Sequence, residues 1–169
     1  MVIAVDEMLP NSDFVWFGPN GIEKVSLSRF VESKKVVIFG VPGAFTPTCH
    51  SAHVPSFIRT KSDFKKNGID TIICISVNDP HVLKAWGEVT GATEAGIIML
   101  GDPEANFTKM LGMEFNAPDV GLIKRSKRYS MFTINGKVTI FNEEQSRGEC
   151  LTSAGEALLQ SIKELSYSI

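Results

Sequence analysis

Two unbroken apolar runs, KVVIFGV (35–41) and IDTIICISV (69–77), flank a stretch of helical periodicity. A strand with one wet face alternates apolar and polar residues, so continuous runs predict strands covered on both faces. Strand, helix, strand over this length is a βαβ unit, which pairs its strands in parallel through a right-handed crossover. Between the runs, Thr46 suits a helix N-cap and Pro47 the first helical position, where a missing N–H costs nothing. Val54, Phe57, Ile58 and Phe64 then recur on one helical face to about Lys66, with Asn67-Gly68 as the stop. Pro55 lies inside that helix and predicts a kink.

The pattern recurs. Asp79-Pro80 opens a helix carrying Val82, Leu83 and Trp86, and GIIML follows as a third strand. Asp102-Pro103 opens a short helix with Phe107, Met110 and Leu111, closed by Gly112. MEFNAPDVGLIKRSK reads as a long loop with some local order. RYSMFTI and KVTIFN flank Asn135-Gly136, a strong hairpin signal. Ser153 with Glu156 predicts a capping box for a last helix with Leu158, Leu159, Ile162 and Leu165. At the other end, DFVWF and IEKVSL around Gly18-Pro19-Asn20-Gly21 form an N-terminal hairpin. The fold class is α/β, a central mixed sheet with helices on both faces, in one domain spanning 1–169. The 169 residues, 43% of them hydrophobic, suffice for its core.

The net charge of -2 argues against nucleic-acid binding, which needs clustered excess Lys and Arg. IKRSKR (123–128) is expected to be mostly solvated charge, with Arg128 turned inward where a strand begins. No apolar stretch approaches the ~20 residues that span a bilayer. MVIAVDEMLP has neither a basic region nor a long apolar one, so no signal peptide is expected and the cytoplasm is the expected compartment. Three cysteines, Cys49, Cys74 and Cys150, are odd in number and widely spaced, which fits a reducing compartment rather than a disulfide scaffold.

Cys49 draws the chemistry. It falls third in a helix that follows the carboxyl end of a strand, where sites in open α/β sheets gather. Unpaired N–H groups and the positive end of the helix dipole favour a thiolate there. The Thr46 hydroxyl, three residues earlier, is placed to cap the helix and to orient the sulfur or an incoming oxygen.

PGAFTPTC (42–49) fits the P-x-x-x-T-x-x-C motif of peroxiredoxins, with Pro42, Thr46 and Cys49 in register. The fuller GVPGAFTPTCHSAHVPSFI resembles the type-II branch, which includes peroxiredoxin five and the plant type-II enzymes. CISVNDPHVLKAWG (74–87) and SKRYSMFTINGKV (126–138) agree with it, and Arg128 matches the family's catalytic arginine. The likeness runs from about residue 3 to 165. It implies a thioredoxin-like fold and reduction of hydrogen peroxide and organic hydroperoxides, with neither a metal nor an organic cofactor. Cys49 would attack the terminal peroxide oxygen and become a sulfenic acid. Pro42 would shield the sulfur, Thr46 align the peroxide, and Arg128 stabilise both thiolate and departing oxygen. The Cys49 amide, with that of Thr48, would donate to the peroxide oxygens, and Gly43 would permit close backbone approach. Homodimers are common in this branch, with VPGAF and NAPDVGL as candidate contacts. Relatives also work in mitochondria and plastids, which makes an organelle the alternative compartment after removal of a presequence.

In the peroxiredoxin-five branch a resolving cysteine lies in an LTCS-like context. Here ECLTSAGEALL has Ser153 in its place and Cys150 three residues earlier. A disulfide needs Cα atoms within about 7 Å, so that displacement counts against Cys150. Cys74 matches the second cysteine of plant type-II enzymes but sits in an apolar strand, where buried packing is expected. The expectation is a one-cysteine mechanism regenerated by glutaredoxin with glutathione, thioredoxin being the rival donor. An intramolecular two-cysteine scheme through Cys74 or Cys150 is the alternative.

Two rival chemistries use the same residues. A Cys–His hydrolase would take His53, four residues from Cys49, as general base. A metal site would use Cys49, His50 and His53, with His81 as an optional distant addition, but a fourth local ligand is not evident. His50 is expected to be solvated. A redox-sensing or chaperone module on a thioredoxin fold is the non-enzymatic alternative.

Overall fold

The computed structural model describes residues 1–168. Its centre is a seven-stranded sheet of β1 (Asp13–Gly18), β2 (Gly21–Ser26), β3 (Lys35–Val41), β4 (Thr71–Ser76), β5 (Ile98–Gly101), β8 (Tyr129–Ile134) and β9 (Lys137–Glu143), in the spatial order β2-β1-β5-β4-β3-β8-β9. The three central strands β3, β4 and β5 are parallel, and both flanks are antiparallel hairpins. The sheet is therefore mixed, as the sequence predicts. The second hairpin turns at Asn135 and Gly136, both with positive φ (51° and 75°), as the Asn-Gly pair requires.

Continuous apolar runs follow from cover on both faces. Val37, Phe39 and Val41 of β3 point into one core with Phe57 and Phe64 of α2 (Val54–Lys66), Trp86 of α3 (Pro80–Thr90) and Leu158 of α5 (Gly155–Tyr167). Val36 and Ile38 point the other way, toward Phe30 of α1 (Ser28–Val31) and Phe107 of α4 (Asn106–Met110). The alternation is the period of two of a strand.

The local order expected within MEFNAPDVGLIKRSK is a separate two-stranded ribbon, β6 (Glu114–Ala117) and β7 (Leu122–Ser126), around a short 3₁₀ turn. Local expectations need correction at three places. Ser153 and Glu156 form no capping box. α5 starts at Gly155, the Ser153 hydroxyl donates to Glu144, and Glu156 pairs with Arg59 instead. The site helix does open at Pro47, and the Thr46 carbonyl accepts from the His50 amide (3.0 Å). The Thr46 hydroxyl, however, does not cap; it donates backward to the Gly43 carbonyl (2.7 Å). The kink expected at Pro55 is a π turn over Cys49–His53, where the Val54 amide reaches back to the Cys49 carbonyl. The wider turn absorbs the backbone bond that proline cannot make.

Candidate active site

β3 ends in the middle of the sheet, and the chain turns through Pro42, Gly43, Ala44 and Phe45 before the helix begins. Four hydrogen bonds shape this loop. Thr46 closes it on the Gly43 carbonyl through both its hydroxyl and its amide. The Ala44 amide donates to Asn78 Oδ1 (3.0 Å), which also accepts from Ser76 at the end of β4 (2.6 Å). Phe45 is held at φ 64°, uncommon for a bulky residue.

β8 runs antiparallel to β3 with Gly40 opposite Tyr129, so Arg128 lies where β3 gives way to the loop. A side chain at Gly40 would strike the Tyr129 ring, so glycine is required there for that ring to pack across the face of β3. Arg128 is 2% exposed. Its Nη2 donates to Cys49 Sγ (3.3 Å) and to the Arg147 carbonyl (3.0 Å), and its Nη1 donates to His53 Nδ1 (3.0 Å). No carboxylate pairs with it among the described residues. Cys49 is itself fully buried, its sulfur against this guanidinium.

The spacing of His53 admits a general base or a metal ligand, and its surroundings contradict both. A guanidinium only donates and a carbonyl only accepts, so Nδ1 accepts from Arg128 and Nε2–H donates to the Ser153 carbonyl (3.0 Å). Complete burial, reinforced by the Arg128 charge and opposed by the Ser153 bond, lowers the imidazole from 6.5 to about 3. Both nitrogens are spent, and the ring props Arg128 against the sulfur. His50 is not simply solvated either: Trp86 Nε1 donates to its Nδ1 (3.1 Å), and its ring stacks on Phe45 at 6.0 Å. No group of three or more metal-binding side chains occurs among the described residues.

Residues 144–153 form a strap over the site. The Arg147 carbonyl accepts from Arg128, the Gly148 carbonyl from the Thr48 hydroxyl (3.2 Å), and the Ser153 carbonyl from His53. Glu144 pins the far end, one carboxylate oxygen accepting from the Leu151 amide and from the amide and hydroxyl of Ser153. Burial opposes the charge on Glu144, but these bonds outweigh it and the carboxyl stays below its usual value. Sequence reasoning passes over Glu144, Asn78 and Arg125. It finds Cys49 and Arg128, which the fold brings into contact, and it finds Pro42, Gly43, Thr46 and Thr48, all on the loop and first turn beside them.

The other two thiols differ. Cys74 is 1% exposed, within β4. Burial pushes its ionisation well up, helped by Cys49 and opposed by Arg128. Cys150 lies on the strap, half-buried, and burial raises it too. All three cysteines are unpaired.

Comparison with known proteins gives the family. The Redoxin family model matches residues 6–158. Peroxiredoxin-2C of Arabidopsis thaliana is 42% identical over 161 residues, covering 95% of this chain and 98% of that protein. Peroxiredoxin-2E-2, chloroplastic, of Oryza sativa subsp. japonica is 37% identical over 95% of this chain and 72% of that protein. A solved structure of reduced Prx3 from Vibrio vulnificus, in complex with H2O2, superposes with TM-score 0.89 at 40% identity, covering 95% of this chain and 99% of that one. The chain therefore belongs to the redoxin family, on a thioredoxin-like fold. Within that family it is a type-II peroxiredoxin, a thiol peroxidase.

Proposed function

We propose that Cys49 is the peroxidatic nucleophile and that it works without a second cysteine of this chain. One observation carries the reading: Arg128 is a buried guanidinium with no carboxylate partner among the described residues, and it donates to the Cys49 sulfur. A buried charge without compensation is expensive. A thiolate at Cys49 supplies the missing counter-charge and is the reactive form of the sulfur.

The thiolate attacks the terminal oxygen of a hydroperoxide, forming the S–O bond as the O–O bond breaks. The departing oxygen leaves with the bonding pair and takes a proton from water, giving water or an alcohol, and Cys49 is left as a sulfenic acid. Arg128 is placed to stabilise the charge moving to that oxygen. Thr46 spends its proton on the Gly43 carbonyl, so its oxygen faces the peroxide as an acceptor. Pro42 and Gly43 are buried and wall the approach, and the Cys49 and Thr48 amides donate to the peroxide.

An external thiol then attacks the sulfenic sulfur, releasing water and leaving a mixed disulfide. A second thiol regenerates Cys49. Glutathione with glutaredoxin is the reductant we favour over thioredoxin. Cys74 is shut inside the sheet and Cys150 sits beside the clamped residues 151 and 153, and burial disfavours the thiolate of each. The test is steady-state peroxide consumption with each reductant system on three variants. Cys49→Ser should abolish turnover, while Cys74→Ser and Cys150→Ser keep it with glutaredoxin and glutathione. Loss of that turnover in either of the latter would overturn the one-cysteine scheme.

A further inference from the structure

The arginines of this chain divide into two groups. Arg29 and Arg59 each pair with a glutamate. Arg125, Arg128 and Arg147 have no carboxylate partner among the described residues, and all three gather at the site. Arg128 is occupied with the sulfur. Arg125, on β7, donates from Nη1 to the Pro42 carbonyl (3.3 Å) and is only half-buried. A side chain at Gly43 would collide with Arg125 Nη1 and lie 3.4 Å from Thr46 Cγ2, so Arg125 and Thr46 border the same space in front of Gly43. Arg147 is exposed, its guanidinium 5.8 Å from the Phe115 ring. Phe115 stands opposite Arg125 across the β6–β7 ribbon. A chain of net charge -2 thus keeps two uncompensated guanidinium groups around the mouth of a buried sulfur.

We propose that Arg125, assisted by Arg147, is a specificity-determining residue: it binds the carboxylate of a small molecule whose reactive end reaches Cys49. The inference rests on the thiol-peroxidase reading of Cys49 given above. A guanidinium is a planar fork of donors that matches a carboxylate. Arg125 spends one donor on Pro42, which fixes it at the rim, and leaves the rest of the fork available. The ligand chemistry is a carboxylate, and two sources bring one to this sulfur. A carboxylate-bearing hydroperoxide would use the rim during oxidation of Cys49, and glutathione would use it during reduction.

Matched acid and ester pairs separate the two. In the oxidative arm, reduced protein reacts with linoleic acid hydroperoxide or its methyl ester, and the loss of the Cys49 thiol is timed. In the reductive arm, pre-formed sulfenic acid reacts with glutathione or glutathione diethyl ester. The readout is the acid-to-ester rate ratio, which cancels general damage to the site. Arg125→Gln is expected to lower that ratio about tenfold, the size of one charge-assisted hydrogen bond. Arg125→Lys should restore part of it, and Arg125→Glu should push it below the value for Arg125→Gln. A fall in the oxidative arm identifies the hydroperoxide as the anion, and a fall in the reductive arm identifies glutathione. Unchanged ratios in both arms, with Cys49 still oxidised by peroxide, overturn this inference alone. A wild-type protein whose Cys49 reacts with neither hydroperoxide overturns the parent reading, and this one with it.

Discussion

Acidification from pH 7.5 to pH 5 should remove about 2 kcal/mol of folding stability through His53 alone. Folded His53 is fully buried and ionises only at about 3, against an ordinary 6.5. Over this interval the folded protein keeps the ring neutral, held between the Arg128 guanidinium and the Ser153 carbonyl. The unfolded chain takes up a proton there as pH drops below 6.5. The contribution is therefore complete above 6.5 and is lost progressively toward 3. At roughly 1.36 kcal/mol per pH unit, with rounding near 6.5, the interval yields about 2 kcal/mol. The assay is urea unfolding of wild type and His53→Gln at pH 7.5, 6.5 and 5. The glutamine side chain of the variant does not titrate, so the gap between the two proteins should narrow by about 2 kcal/mol at pH 5. A gap that stays constant with pH would refute the reasoning. So would an imidazole resonance of His53 that titrates between pH 7.5 and 5 in the folded protein.

Arg128→Met should slow oxidation of Cys49 by hydrogen peroxide by about 10²–10³, the usual cost of losing one charge-stabilising donor, as read by stopped-flow kinetics. Gly40→Ala drives a methyl group into the Tyr129 ring, which is 1% exposed and unable to swing away, and should cost about 1–3 kcal/mol in denaturant unfolding. A Gly40→Ala protein as stable as wild type would show that β3 and β8 have room to move apart.

Periodicity reveals the sheet and its helices because those signals depend on neighbours in sequence. KVVIFGV announces a covered strand whatever packs against it, and Asn135-Gly136 announces a turn by backbone preference alone. Cys49 is readable for the same reason, since strand, loop and helix start are consecutive. What cannot be read depends on contacts between distant segments. The Ser153 hydroxyl prefers the Glu144 carboxylate to a cap, which no three-residue spacing reveals. His53 has the spacing of a base, and only the arrival of Arg128 and residue 153 makes it a prop. Arg125 reads as one charge in a solvated run until β7 carries it to the Pro42 carbonyl.

The π turn at Cys49–His53 has a mechanical consequence. It holds one residue more than an α-helical turn, so conversion to α geometry would rotate everything before it by about 100° about the helix axis. The sulfur would swing off Arg128 while α2 stayed seated on the sheet. Pro55 opposes that conversion, because its ring would press on the carbonyl one α turn earlier and it has no N–H to offer in return. The proline downstream thus acts as a pawl, and the direction in which the sulfur points is set by the winding of the helix as much as by the loop before it.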